Sequence, residues 1–464
     1  MKRPAPVSDT AVLPEQPNTR TDPHRLAWGV LLMAFAAFCV ICAAAGFVMN
    51  FFLFQSTVPM LSGLTVSRGS VEVTEPADPV ARSVRMPVNL TGIAQVSTDS
   101  QSQAKLFIRD SLADGRLIAV VTLHTNSSLT LRTAARPRFN WSTSGYFVDL
   151  RDVSGRFDIA VIPDLGRDVL VSLRSTQGVL ISLNESGDYI VNTSNTRVQV
   201  YNRSGMAVLV PAGSQVGHVV PMAGQGVVDT ETNTFASKQG YTELLQNSSF
   251  VQINPSVGSG DAQELLTGWV CNNDPNDDPP GSYRSQMVDG VMMLRLERFG
   301  NATTHGRTSC VQTFGQTGLN LPARGFDYLA LRATFSIHFQ SLNACGIEGS
   351  ECPLMLRVDY IDQNGQAQKW YHGFFAVNDE QLLYPLQCNS CRQAHEFINP
   401  KTWYTFDSAN LFALLPPDQR PVEIVAVWFY ASGHQFDVQV SEIALLGGQV
   451  SPETAAPAAG TAQG

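Results

Sequence analysis

Hydrophobic and polar positions divide this chain into one long apolar run and many short alternating runs. The long run covers residues 26–54 and contains no Asp, Glu, Lys or Arg. About 20 consecutive apolar residues are enough for a helix to cross a bilayer, so the pattern predicts a transmembrane helix over 26–54. A cleaved secretory signal peptide is the alternative, because residues 43–46 (AAAG) resemble a cleavage site, although signal peptides have a shorter apolar segment.

The charges that flank the predicted helix indicate its orientation. The basic residues before it are Lys2, Arg3, Arg20 and Arg25. The first charged residue after it is Arg68. Positive charge is retained on the cytoplasmic side of a membrane. We therefore expect a single-pass cell-membrane protein with a disordered cytoplasmic tail over 1–25 and most of its mass outside the cytoplasm.

Beyond the helix, short alternating runs predict a mainly β protein. Examples are 103–108 (QAKLFI), 157–161 (FDIAV) and 354–361 (LMLRVDYI). Such runs, separated by turns every ~8–12 residues, are typical of β-rolls and β-sandwiches. Two β domains are predicted, joined and flanked by non-repetitive segments. The boundaries are a connector over 55–82, a first β domain over 83–220, a linker over 221–242, a second β domain over 243–448 and a disordered tail over 449–464.

Four segments of the first β domain carry a resemblance to a known family. They are 98–108 (TDSQSQAKLFI), 123–131 (LHTNSSLTL), 146–157 (YFVDLRDVSGRF) and 208–213 (VLVPAG). In their order and pattern they resemble the extracytoplasmic domain of FecR-like proteins. That resemblance implies a β-roll or sandwich and a regulatory role in signal transduction. The tail over 1–25 contains no sigma-factor-binding region like that of the better-known members.

The second β domain opens with 243–250 (ELLQNSSF), and 266–269 (LTGW) follows. This opening resembles galactose-binding-like sandwiches of the carbohydrate-binding-module type. The resemblance implies a jelly-roll sandwich that binds a glycan. The Asn364-Gly365 pair between two alternating strands is a strong hairpin signal and fits that fold.

Aromatic and polar side chains in this second domain are the candidates for ligand binding. The candidates are Arg357, Asp359, Tyr360, Trp370, Tyr371, His372 and Trp403. Alternation places Tyr360 on one face of its strand and both Arg357 and Asp359 on the other. The alternative is a plain structural role, since sandwich cores contain similar aromatic residues, and Trp428 is expected in the core because it lies within an apolar run.

The cysteines predict disulfides. Cys39 and Cys42 lie in the apolar helix. The disulfide candidates are Cys271, Cys310, Cys345, Cys352, Cys388 and Cys391. An even number in an exported domain implies a disulfide framework whose connectivity is not determined by sequence. Sequence proximity favours pairing 345 with 352 and 388 with 391, which leaves 271 with 310. The alternative is a tetrahedral zinc site that uses the CxxC spacing of residues 388–391.

A run of carboxylate and amide side chains is a candidate calcium site. The residues are Asp274, Asn276, Asp277 and Asp278. Clustered oxygen ligands suit calcium, but the spacing is not that of an EF-hand, and the same residue types form ordinary turns. No other cofactor is expected.

The sequence offers little support for catalysis. It contains no nucleophile elbow, phosphate-binding loop, dinucleotide fingerprint or HExxH motif. The carboxylate pairs Glu348 with Glu351, and Asp359 with Asp362, lie in or beside predicted turns. The net charge of −9 argues against nucleic-acid binding.

We therefore predict a non-catalytic binding or sensing protein of the bacterial envelope, anchored by one helix. It is expected to bind a glycan or to regulate in the manner of FecR-like proteins. The alternative is a structural scaffold that acts through contacts with envelope proteins.

Overall fold

The computed structural model describes residues 23–76, 78–112, 115–254, 265–315 and 320–448. The described chain is mainly β, with one N-terminal apolar helix and sandwich-like sheets, which confirms the predicted fold class. The predicted disordered tails lie outside the described residues, except for 23–25.

The N-terminal helix α1 (Pro23–Asn50) continues as a π-helical turn (Phe51–Gln55). Within the described chain it is the one helix long and apolar enough to cross a membrane, a property that signal sequences share. Residues 138–142 form a compact unit with it. The ring of Phe139 packs edge-on against Phe52 at 5.5 Å, and the Arg138 guanidinium lies 5.4 Å from the Phe52 ring.

Residues 57–239 form the first β region, and their described part contains eighteen strands. Its strands are β1 (Thr57–Pro59), β2 (Leu61–Arg68), β3 (Val71–Glu75), β4 (Asp78–Val84), β5 (Val88–Leu90), β6 (Ala94–Thr98), β7 (Gln103–Arg109), β8 (Leu117–Leu123), β9 (Ser128–Pro137), β10 (Tyr146–Val161), β11 (Val169–Ser175), β12 (Leu180–Leu183), β13 (Gly187–Thr193), β14 (Arg197–Asn202), β15 (Ala207–Val210), β16 (His218–Val220), β17 (Gly224–Asp229) and β18 (Thr234–Gln239).

Two sheets share the long strand β10 in this region. One runs β4-β3-β6-β9-β10-β11-β12-β15-β16, with β1 also on β9. The other, sheet B, runs β5-β2-β7-β8-β10-β13-β14-β17-β18. Strand β10 passes between them at Gly155, where φ is +102° and a Cβ would collide with Ser127. Buried residues such as Leu106, Leu150 and Val171 fill the core.

Strands occupy segments that the sequence predicted as connector and linker. Residues 55–82 contain β1 to β3 and most of β4, and Leu64, Val66 and Val73 are buried in the core. Their apolar positions alternate, but Ser, Thr and Gly between them conceal the pattern. Residues 221–242 contain β17 and β18, and β18 is largely exposed at a sheet edge, so its sequence is polar.

Residues 242–448 form the second β region, in which the structure describes fifteen strands and three short helical turns outside 255–264 and 316–319. Its elements are β19 (Thr242–Glu243), β20 (Ile253–Asn254), β21 (Leu265–Leu266), β22 (Val270–Asn273), β23 (Ser282–Val288), β24 (Val291–Arg298), β25 (Gly306–Thr313), β26 (Leu321–Pro322), β27 (Tyr328–Gln340), β28 (Leu354–Asp362), β29 (Ala367–Phe375), a 3₁₀ turn (Glu380–Leu382), β30 (Glu396–Phe397), β31 (Tyr404–Asp407), α2 (Leu411–Leu414), a 3₁₀ turn (Pro417–Gln419), β32 (Pro421–Gly433) and β33 (Phe436–Gly448).

Two sheets of this region pack face to face. The six-stranded sheet runs β23-β24-β33-β27-β31 with β19 beside β33, and the seven-stranded sheet runs β22-β25-β32-β28-β29-β30 with β26 beside β32. Their inner faces bury large side chains, among them Phe335, Trp370 and Phe429. The result is the layered arrangement of a β-sandwich.

The two β regions belong to one compact unit. The Gln103 side-chain amide pairs with the backbone of Thr405, donating to its carbonyl at 2.7 Å and accepting from its N–H at 2.9 Å. Arg156 donates to Asp407 at 2.6 Å, and Arg332 lies 2.9 Å from Asp158. Buried polar pairs therefore join the regions.

Candidate functional site

Strand register places a row of side chains on the outer face of the seven-stranded sheet. Across β29, β28, β32, β25 and β22, the row consists of Tyr371, Arg357, Trp428, Val311 and Val270. Neighbouring strands lie about 4.8 Å apart, so the row extends roughly 19 Å across the sheet. We call these five residues the aromatic row.

Arg357 is fixed between the two aromatic rings of this row. Its guanidinium forms two hydrogen bonds of 2.6 Å with the Asp359 carboxylate and lies 4.9 Å from the Trp428 ring and 5.8 Å from the Tyr371 ring. The Trp428 indole N–H donates to the same carboxylate at 2.9 Å. All four side chains are half-buried. Bidentate ion pairing and cation–π contact make this face a rigid platform.

The platform continues on both sides of the row. Tyr430 lies on the same face, and the Arg307 guanidinium lies 5.9 Å from the centre of its ring. Beside Tyr371, a polar groove of about 420 Å³ opens between β29 and the loop over residues 389–392. Lys369 and Arg392 line that groove. Basic groups therefore flank the aromatic surface.

Three of the residues predicted to bind ligand lie in the core instead. Trp370, Tyr360 and His372 are at most 2% exposed. The reason is strand alternation, which turns Trp370 and His372 inward when Tyr371 points outward. The prediction treated the Trp-Tyr-His sequence as a single cluster, which a strand does not allow.

The contacts of His372 indicate a structural role and not ligand binding. Its ring stacks on Phe406 at 4.8 Å, and Nε2 lies 3.2 Å from Glu396. Glu396 also accepts from the Tyr404 hydroxyl at 2.7 Å and from Arg68 at 2.6 Å. Burial raises the pKa of Glu396, but these partners outweigh it, so the pKa lies below its ordinary value. The cluster fastens the two β regions together.

Of the remaining predictions, Arg357, Asp359 and Tyr371 come together on the outer face, whereas Trp403 lies elsewhere, beside a cavity between the β regions. Trp428, predicted in the core, lies on the outer face. Val427 and Phe429 on either side of it are buried, so strand alternation turns Trp428 outward. The core prediction missed this because the run 424–430 (IVAVWFY) contains no polar position that would mark the outer face.

The six cysteines of the second region form the three pairs that sequence proximity favours, 271 with 310, 345 with 352, and 388 with 391. Among the described residues, potential ligand atoms converge where the latter two pairs meet His395. Both nitrogens of His395 already have partners, since Nδ1 accepts from the Gly373 N–H at 2.9 Å and Nε2 lies 2.8 Å from the Gly349 carbonyl. Cysteine binds zinc as a thiolate, which the sulfur of a disulfide does not supply.

The predicted calcium ligands form turn hydrogen bonds. Asp274 accepts from the backbone and side chain of Asn276, and Asp277 accepts from the Arg307 N–H at 2.8 Å. The carboxylates of Asp274, Asp277 and Asp278 do not belong to a cluster of converging His, Cys, Asp or Glu ligand atoms in the described chain. A structural calcium ion stays a prediction.

Three of the four carboxylates considered for catalysis, Glu351, Asp359 and Asp362, are held by structural partners, and Glu348 is exposed. Glu351 lies 2.6 Å from His305, and Asp362 accepts from the N–H groups of Asn364 and Gln366 in the hairpin turn. Asp359 is engaged by Arg357 and Trp428. The expectation that the protein is not an enzyme stays a prediction.

Comparison with known proteins gave no matching family model and no matching curated protein. A family 11 carbohydrate-binding module from a cellulosomal cellulase of Clostridium thermocellum is 10% identical, with a TM-score of 0.24, over 46% of this chain and 98% of that module. A xylan-binding domain from Paenibacillus barcinonensis is 10% identical, with a TM-score of 0.22, over 40% of this chain and 88% of that domain.

A protein assigned as an anti-sigma factor of Parabacteroides distasonis is 15% identical, with a TM-score of 0.22, over 32% of this chain. The match spans 60% of that protein's solved chain. The structural neighbours thus include the two kinds of protein that the sequence resembles, at low similarity and over part of the chain.

Proposed function

We propose that this protein is a membrane-anchored glycan-binding protein of the bacterial envelope and that the aromatic row is its binding surface. The observation that carries the proposal is the arrangement of Tyr371 and Trp428 on either side of Arg357, on an open sheet face. Asp359 holds Arg357 and the Trp428 indole in place, so little conformational entropy is lost when a ligand binds.

The chemistry of this face suits sugars. Aromatic rings offer flat apolar surface that complements the C–H faces of sugar rings, while nearby charged groups donate hydrogen bonds to hydroxyls. Arg357, Lys369 and Arg307 supply hydrogen-bond donors. The carboxylate on this face, Asp359, is already neutralised by Arg357. The face therefore favours a neutral or acidic glycan chain that lies across several strands.

The location of the protein rests on α1 and on the disulfides. A helix of this length and hydropathy supports membrane anchoring. Basic residues before it and three disulfides after it support an extracytoplasmic second region. The glycan is therefore sought among polysaccharides of the cell envelope and its surroundings.

Binding of the full-length protein in lipid nanodiscs to a glycan array and to purified cell-wall polysaccharide tests this function. Tyr371→Ala and Trp428→Ala are each expected to weaken binding by about tenfold or more. Phe339→Ala is the matched control, because Phe339 is an aromatic residue of the six-stranded sheet that is 42% exposed. Melting temperatures establish that each variant is folded.

Two results would overturn the proposal. One is an empty glycan screen, which together with a stable co-purifying envelope protein would favour the scaffold function. The other is a loss of binding in Phe339→Ala equal to that in Tyr371→Ala, because it would place the binding surface elsewhere.

A further inference from the structure

A cavity of about 480 Å³ lies between the two β regions, away from the aromatic row. Its wall in the first region is the outer face of sheet B, where Phe107, Val120 and Ala160 are half-buried. Its wall in the second region includes Val288 and Val291. The volume is in the range of small-molecule sites, which are mostly apolar with a few polar groups.

The polar end of this cavity is built from charged residues of both regions. Strand register sets Lys105, Thr122 and Asp158 side by side on sheet B. From the facing six-stranded sheet, Arg332 lies 2.9 Å from Asp158 and 3.1 Å from Glu442. These two carboxylates are therefore already engaged by arginine.

Lys105 differs from the arginines in its partners. It is 4% exposed, and its ammonium donates to the Thr405 hydroxyl at 2.7 Å. None of the ion pairs in the described part of the chain includes it. An ammonium group has three N–H donors, and burying one against a single neutral partner is costly. Burial, with a further contribution from Arg332, outweighs the nearby carboxylates of Asp158 and Glu442 and lowers the pKa of Lys105 to about 7.

We infer that this cavity is a binding site for a small organic molecule with an apolar body and one carboxylate group, and that Lys105 binds the carboxylate. The apolar walls take the body of the ligand. A single negative charge supplies the ion pair that Lys105 lacks.

Isothermal titration of the full-length protein in nanodiscs tests this site with a matched pair of probes. The probes are 2-naphthoate and 2-naphthamide, which have the same apolar body and differ in charge. The naphthoate is expected to bind at least about tenfold more tightly than the amide, since a charge-assisted hydrogen bond inside the cavity favours it.

Three variants locate the binding. Lys105→Met should remove the preference for the naphthoate, and Ala160→Phe should abolish binding of both probes by filling the cavity while leaving Lys105 in place. Tyr371→Ala should change neither affinity, which separates this site from the aromatic row. The inference is overturned if the wild type does not bind the naphthoate, if Ala160→Phe binds it normally, or if Lys105→Met keeps the preference.

Discussion

The buried amine of Lys105 ties the stability of the fold to pH. Its pKa is about 7 in the folded protein, and about 10.4 is ordinary for an unfolded chain. Between these values the unfolded state binds more protons, so the free energy of unfolding contributed by this residue rises with pH.

We therefore predict that the wild type gains stability relative to Lys105→Met as the pH rises from 7 to 10. Urea unfolding of both proteins in the same nanodiscs at several pH values measures this difference. The variant keeps every other titrating group. If the free energies of unfolding of the two proteins change in parallel with pH, the pKa of Lys105 is that of an ordinary lysine and the prediction is wrong.

Trp370 and Tyr371 are neighbours in sequence with opposite roles. Trp370→Ala removes a core side chain that is 1% exposed and should lower the free energy of unfolding by about 3–5 kcal/mol. Tyr371→Ala lies on the outer face and should cost about 1 kcal/mol or less. Denaturant unfolding distinguishes them. Full stability of Trp370→Ala together with lost glycan binding would reverse the assignment of the two faces.

Strand alternation determines how much of the candidate site is predictable at the level of elements. The alternation in β28 correctly separates Arg357 and Asp359 from Tyr360, because that strand is regular there. Alternation gives no such separation for Trp428, because the run 424–430 (IVAVWFY) is apolar throughout and does not show which face is buried. The loop beside Tyr371 has no period, so the groove it forms was not predictable.

The disulfide between residues 388 and 391 constrains the loop that lines this groove. A loop that is ordered before binding loses less entropy when the ligand binds. We predict that replacing both cysteines by serine weakens glycan binding by about two- to tenfold, measured by titration with the glycan that the array identifies. An unchanged affinity would show that the loop takes no part in binding.

At the scale of the whole molecule, buried ion pairs join the two β regions. Arg332 bridges Asp158 of the first region and Glu442 of the second. Burial raises the pKa of Glu442, but Arg203 and Arg332 outweigh it and bring the pKa to about 2. The stabilisation is therefore present above pH 4.5 and is lost as the pH falls toward 2.

Arg332→Met should lower the free energy of unfolding by about 1.5–3 kcal/mol, because it removes one buried charged partner from each of two carboxylates. Glu442 keeps Arg203, and Asp158 keeps His124 and Arg156. We also expect the wild type to unfold in one calorimetric transition and Arg332→Met in two, as the regions separate. Arg284→Met is the control, since Arg284 forms an exposed ion pair with Glu297 that is worth about 1 kcal/mol or less. Equal effects of the two substitutions would contradict a structural role for the buried bridge.

The packing of the two regions was not predictable from the sequence. Alternation places Lys105 and Asp158 on the outer face of sheet B, and polar residues on an outer face ordinarily contact solvent. Here the second region covers them, and only the three-dimensional structure shows which residues face each other. The chain thus offers two separate candidate sites. One is the cavity between the regions, with apolar walls and a charged end, and the other is the open aromatic row.

Hydroxyl-radical footprinting of the full-length protein, with and without the bound glycan, tests the proposed glycan surface most directly. We predict that oxidation of Tyr371 and Trp428 falls by about threefold or more when the glycan binds, while Phe339 reacts as before. Unchanged oxidation of Tyr371 and Trp428 at a saturating glycan concentration would contradict the assignment of the aromatic row as the binding surface.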